Sequence, residues 1–287
     1  MTAIHPDTTL GPVHLRVRDL GGALDFYERR LGLRVRERTR DSAALGAGDA
    51  DLLVLAERGY APRPRRTTGL YHIALRVPSR RELAGTLEHL LATRTRLQGA
   101  ADHGVSEALY LADPEGNGIE IYRDRPRDQW PYVQGALTMS ADPLALDDLL
   151  AEVGGTPWGG MAAGTRVGHI HLHVSRLDEA ERFYCDALGF EVTARYGEQA
   201  VFLSAGGYHH HIGLNTWLGV GLPPPPENAV GLDHFVVNLP DASALDAVLS
   251  RARDAGVGGR REGDAMWLRD PSGNRLVLAA HRVVARA

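Results

Sequence analysis

Short runs of alternating apolar and polar residues recur along the chain, for example VHLRV (13–17) and HIALRV (72–77). Alternation marks a strand with one buried face, and each run is followed by apolar residues at helical spacing. The spacing predicts helices over Gly21–Leu31 and Arg80–Ala92. Further short strands come next, including ALYLA (108–112) and GIEIY (118–122). Between these two lies DPEGNG (113–118), a tight-turn signal, since Gly and Asn tolerate positive φ. The repeating unit is therefore βαβββ.

The unit recurs as sequence as well as pattern. Residues 14–35 match 171–192 at an offset of 157, so that Phe26, Tyr27, Leu31 and Gly32 return as Phe183, Tyr184, Leu188 and Gly189. YLADPEGNGIEI (110–121) matches WLRDPSGNRLVL (267–278) at the same offset, and LYHIALRVP (70–78) pairs with LDHFVVNLP (232–240) at 162. The extra residues fall near the proline run 223–226, as a loop insertion would. Four modules follow, at about 11–58, 69–122, 168–218 and 231–280, in an α+β fold. They are expected as a first domain (1–125), a linker (126–167) with a helix over Pro143–Val153, and a second domain (168–287).

Composition narrows the classes. The formal net charge of −4 gives no basic surface for a nucleic acid. All 32 basic residues are arginine, which excludes a lysine Schiff base and a P-loop lysine. The single cysteine, Cys185, lies in a helical pattern over Asp178–Leu188 and reads as buried filler, and one thiol forms no internal disulfide. No signal peptide and no membrane-spanning apolar run are visible, so a cytoplasmic protein without a membrane partner is expected. The PRPRR segment (62–66) reads as a solvated loop joining modules 1 and 2.

Four βαβββ modules over nearly the whole chain resemble the vicinal-oxygen-chelate superfamily, in which two modules pair around a divalent metal. The resemblance implies ligand positions on the first and last strands of the modules. In module 2 these are His72 and Glu120, and in module 3 His169. Two imidazoles and a carboxylate form the facial triad of non-haem Fe(II) oxygenases. Glu120 also interrupts an apolar strand, where an unpartnered carboxylate would be costly.

The chain resembles the extradiol dioxygenases of that superfamily more closely still. Their His-His pair, whose second histidine is the acid–base group, matches GYHHHIGLN, with His210 in the catalytic position. Alternation would send His209 and His211 to the opposite face. Their tyrosine ten residues before the metal glutamate matches Tyr110, and His103 stands on the preceding turn. The strings VSEALYL, GHIHLHV and YHHHIGLN are similar to the CatE group of catechol 2,3-dioxygenases. That resemblance implies an Fe(II) centre, with Mn(II) as the other candidate, a small aromatic diol and O2 as reactants, and self-association.

Neither half holds a full triad, because module 4 keeps His234 but has Val277 and Trp267 in place of the glutamate and tyrosine, and module 1 has Pro12. Modules are therefore expected to pair 2 with 3 and 1 with 4, the latter pair metal-free. The competing set pairs 1 with 2 and uses His14, two residues off the ligand register. His171 and His173 share the face of His169 and are expected as substrate contacts, supporting donors or hydrogen-bonded sheet residues. Two other functions remain open: a glyoxalase-type isomerase or lyase, and a metal-free binder of aromatic drugs walled by Trp130, Trp158 and Trp217.

Overall fold

The computed structural model describes residues 3–62, 65–155 and 157–280. Residues 63 and 64 of the PRPRR segment lie outside these.

Two large mixed sheets carry the modules, and each sheet takes one module from each half of the sequence. The nine-stranded sheet has the order Asp142–Pro143, Leu97–Asp102, Ser106–Ala112, Gly118–Asp124, Gly69–Arg76, Arg166–His173, Ile212–Asn215, Ala200–Ser204, Glu191–Tyr196. Modules 2 and 3 therefore meet through their first strands, which run antiparallel with Ile73 opposite Ile170 and His72 opposite His171. The eight-stranded sheet joins modules 1 and 4 in the same way, with His14 opposite His234. The module pairing expected from the ligand positions is the one observed.

Along the central strands, alternate residues face a shared apolar core. Ile73, Leu75, Ile119, Ile121, Ile170 and Leu172 are all buried in it, and helix Arg80–Ala92 adds Leu83, Leu87 and Leu90. Side chains of opposite parity, including His72, Glu120 and His169, are left on the other face. The helix begins where Ser79 accepts a hydrogen bond from the Glu82 N–H, a cap that satisfies one unpaired donor. Asp241 caps helix Ala242–Asp254 in the same way.

The two sheets are tied by a repeated contact. Tyr27 of module 1 donates to Asp113 of module 2 at 2.8 Å, and Tyr184 of module 3 donates to Asp270 of module 4 at 3.0 Å. Each aspartate also closes its own turn by accepting from the backbone and side chain of Asn117 or Asn274. Modules adjacent in sequence but separated into different sheets are thus joined through buried hydrogen bonds.

Some expected elements differ in extent. The linker helix is confined to Leu146–Leu150, because Asp142–Pro143 is drawn into the sheet edge against Leu97–Asp102 and Gly154 follows closely. The helix expected over Asp178–Leu188 is α-helical over Leu177–Arg182 and widens to a π-turn over Phe183–Ala187. Cys185 sits in that turn, partly buried, with its thiol pushed up to about 12 by burial and by Glu181 and Asp186. No helix among the described residues is long and apolar enough to cross a membrane.

Candidate active site

The site begins with the register of three strands. Ala74 pairs with His169 on one side and with Glu120 on the other. All three lie on the same face, and the alanine methyl leaves room for the imidazole and the carboxylate to lean towards each other. His72, two residues earlier on the same strand, lies opposite Gly118. A Cβ on Gly118 would come within 3.0 Å of the His72 Cβ and overlap the Tyr71 carbonyl. Gly213 works similarly beside His171, whose ring a Cβ would meet at 2.8 Å. Small residues between the ligand strands thus make space for the large ones.

The result is a compact set of three donors. Nε2 of His72 and Nε2 of His169 are 3.3 Å apart, and each lies 3.1 Å from Glu120 Oε2. All three residues are buried, Glu120 at 3% and His169 at 1% exposure. Among the described residues this is the one group of three or more side chains spaced to hold a metal ion. Ligand atoms about 2.1 Å from one ion and at right angles to each other would stand about 3 Å apart, as these do. Burial opposes ionisation of Glu120, yet the charge and hydrogen bonds of His169 and His72 outweigh it and hold the carboxyl well below its ordinary range. Burial lowers His169 to about 4, so its imidazole is neutral near pH 7 with a lone pair to give. Spacing, burial and protonation state all fit a divalent cation.

The other candidate residues surround the same cavity, of about 570 Å³. His210 lies with its ring 4.0 Å from that of His169 and 4.9 Å from Phe202. It stands on the turn before strand Ile212–Asn215 and not on the strand itself. Its neighbours still point elsewhere: His209 Nε2 bonds Asp124, and His211 Nδ1 accepts from the Ala205 N–H. Tyr110 pairs across the sheet with Glu120, and its hydroxyl lies 2.6 Å from His103 Nε2. The other nitrogen of His103 is held by the Ser140 carbonyl at 2.6 Å. Burial, then the charge of Glu120, raises the Tyr110 hydroxyl well above its usual range and keeps it a hydrogen-bond donor.

The remaining histidines divide. His173 is bonded to Asn215 Oδ1 at 2.7 Å, a sheet contact. His171 lines the cavity, and its buried Nε2 has no partner. His14 belongs to the other sheet, where its ring stacks on His234 at 3.9 Å, so the set His14, His72 and Glu120 is not assembled. Of the tryptophans, Trp217 lines the cavity, Trp158 stacks on His89 at 3.8 Å, and Trp130 packs against Tyr208 and His209.

Two parts of the site lay beyond sequence reasoning. Asp124 accepts from His209 at 2.8 Å, from Arg76 at 3.1 Å and from Tyr208 at 3.0 Å, while His209 Nδ1 meets His210 Nδ1 at 2.8 Å. Burial opposes the Asp124 charge, but these partners hold it below the ordinary carboxylate range. The second part is the wall built by Leu137–Ala141 from the segment joining the halves. An Asp four residues after Glu120 was a signal for the first. Nothing local marked the second.

A model of the Glyoxalase/Bleomycin resistance protein/Dioxygenase superfamily matches residues 9–121 and 166–278. The chain belongs to this superfamily. It is 44% identical over 276 residues to a catechol-2,3-dioxygenase of Bacillus subtilis (strain 168), covering 94% of this chain and 96% of that one. A biphenyl-2,3-diol 1,2-dioxygenase 2 of Rhodococcus globerulus is 26% identical over 135 residues, 44% of this chain and 65% of its own. Among solved structures, glyoxalase I from Zea mays superposes with a TM-score of 0.58 at 16% identity, over 96% of this chain and 92% of that one. That likeness shows the fold.

Proposed function

We propose that the chain is an extradiol dioxygenase that opens a catechol-type ring with O2, at a non-haem Fe(II) ion held by His72, Glu120 and His169. The observation that carries this reading is the meeting of that donor set with His210 and the Tyr110–His103 pair around one cavity. The 44% identity to a catechol-2,3-dioxygenase supports it. Mn(II) suits the same donors.

An ion held by His72, Glu120 and His169 would keep room for both a diol and O2 and would supply the chemistry of bringing the two together. Catechol and O2 give 2-hydroxymuconic semialdehyde, with the ring carbon–carbon bond beside the diol broken and both oxygen atoms retained. His210 has Nδ1 committed to His209, which leaves Nε2 to take a proton from a diol hydroxyl and return it later. Tyr110, kept protonated by burial, would exchange its hydrogen bond to His103 Nε2 for one to oxygen at the reacting end. Trp217, Phe202 and the Leu137–Ala141 segment reduce the access of water. The reactants are small molecules. A homo-oligomeric state and a cytoplasmic setting complete the proposal, the latter in keeping with a single unpaired thiol.

The test is O2 uptake by freshly Fe(II)-loaded protein with catechol, followed together with the absorbance of the yellow ring-opened product. Matched uptake and colour are expected. No uptake by protein confirmed to hold one iron per chain would sink the assignment.

A further inference from the structure

The cavity is larger than one benzenediol ring requires. Its volume of about 570 Å³ lies among pockets of about 300–1,000 Å³ that engulf drug-sized ligands. Beside the polar groups of His72, Glu120, His169 and His210, the lining is largely apolar, with Leu137, Met139, Ala194, Phe202 and Trp217 contributing to it, and Phe202 packs its ring 4.9 Å from that of His210.

Charge is distributed unevenly. Among the described residues lining the cavity, Glu120 and Arg195 alone carry ionic side chains. Glu120 is engaged by His72 and His169. Arg195 is gripped from helix Leu177–Arg182 by Glu181, in a fork with Nη2–Oε1 at 2.6 Å and Nη1–Oε2 at 2.9 Å. Such a fork uses the geometry with which a guanidinium would otherwise receive a carboxylate. The cavity's cation is thus already neutralised from outside.

From this distribution we infer that the site selects catechols bearing a bulky, uncharged apolar substituent, aryl or alkyl, over carboxylated catechols, with the Glu181–Arg195 pair determining that specificity. The inference rests on the ring-cleavage reading of the same site. An apolar group against Met139 and Phe202 gains by leaving water. A carboxylate there gives up its hydration and finds no free cation in return. Both members of the pair are partly exposed, with side-chain exposures of 51% for Arg195 and 26% for Glu181, so the pair adds little to stability and is open to substitution.

The experiment compares kcat/KM for catechol, 3-phenylcatechol and 3,4-dihydroxyphenylacetate, in wild type and Glu181→Gln. Calorimetric binding of the unreactive 2-phenylphenol and 2-hydroxyphenylacetate under nitrogen accompanies it. 3-Phenylcatechol is expected about tenfold or more above catechol, the scale on which an apolar pocket rewards added methylenes, and the carboxylated diol well below it. Glu181→Gln is expected to narrow the gap between carboxylated and phenyl ligands several-fold, and Met139→Arg to narrow it through an independent cation. Ring cleavage with equal or better use of the carboxylated diol would overturn the inference and leave the ring-cleavage reading standing. An unchanged ratio in Glu181→Gln, whatever Met139→Arg shows, would overturn the role of the pair. Absence of turnover with every diol would sink the ring-cleavage reading, while the calorimetry still measured the substituent preference.

Discussion

The two sheets are built from the same module and joined through the same antiparallel pairing of first strands, yet their equivalent faces differ. In the nine-stranded sheet, His72 lies opposite His171, while His169 and Glu120 both pair with Ala74 and come within reach of His72. In the eight-stranded sheet, His234 lies opposite His14, but the two rings stack on each other and Trp267 packs on His234 at 4.5 Å. Val277 stands on the last strand where Glu120 stands in the other sheet, and the first-strand ligand position is Pro12. His234 hydrogen-bonds Asp233 at 2.8 Å, and Asp233 in turn pairs with Arg16 and Arg275. One sheet assembles donors around a cavity, while the other satisfies its histidines by packing and ion pairing. The scaffold therefore does not create the chemistry, which depends on three or four side chains at fixed register positions.

The largest effect that would break this contrast is loss of the donor set. Under the proposed assignment, Glu120→Ala removes the one anionic donor and should abolish metal retention and turnover. Affinity should fall by more than the roughly 10–100-fold that loss of a supporting group costs. Val277→Ala, at the equivalent position of the other sheet, should leave the bound-metal content unchanged. Elemental analysis of both variants after gel filtration decides the matter, and equal metal in Glu120→Ala and wild type would remove the assignment. Next in size is His210→Ala, which should keep the metal while lowering kcat by about 10²–10⁴-fold, the range for a lost acid–base group. A His210→Ala protein that turned over normally would remove the acid–base role.

The clustering of His72, Glu120 and His169 was legible in sequence because the superfamily resemblance implies ligand positions on the first and last strands of the modules, and these three residues stand there. The module pairing followed from the same reasoning, since no complete triad exists within either half. Relations created by packing between distant segments were not legible. Leu137–Ala141 carries no motif, and it becomes a cavity wall because His103 holds the Ser140 carbonyl. The bond between His209 and Asp124 joins residues 85 positions apart. The linker helix is shorter than its apolar spacing suggested, because sheet pairing claimed Asp142–Pro143.

A smaller effect should be shared by both regions. Tyr27→Phe and Tyr184→Phe each leave a buried aspartate short of one hydrogen bond, a cost of about 1–3 kcal/mol. Because both bonds join the two sheets, the two variants should lower the urea midpoint to a similar degree although only one sheet carries the donor set. A large drop in one and none in the other would show that the two ties are not equivalent.

The smallest effect isolates the eight-stranded sheet. His14 is lowered to about 4, first by burial and then by His234, with Asp233 acting in the opposite direction. In the unfolded chain its ordinary value is 6.5. Between those two values the unfolded chain takes up a proton that the folded protein refuses, so protonation favours unfolding. The stacked pair thus contributes stability that is fully present above pH 6.5, falls away as pH drops to about 4, and changes no further below that. In His14→Leu that contribution is gone, and the thermal midpoint should fall less steeply than in wild type across the same window. Taking the difference between the two proteins cancels the titration of the histidines in the other sheet, which both retain. Identical pH profiles would mean that His14 is protonated as readily in the folded sheet as in the unfolded chain, and that burial in the stack does not hold its imidazole neutral.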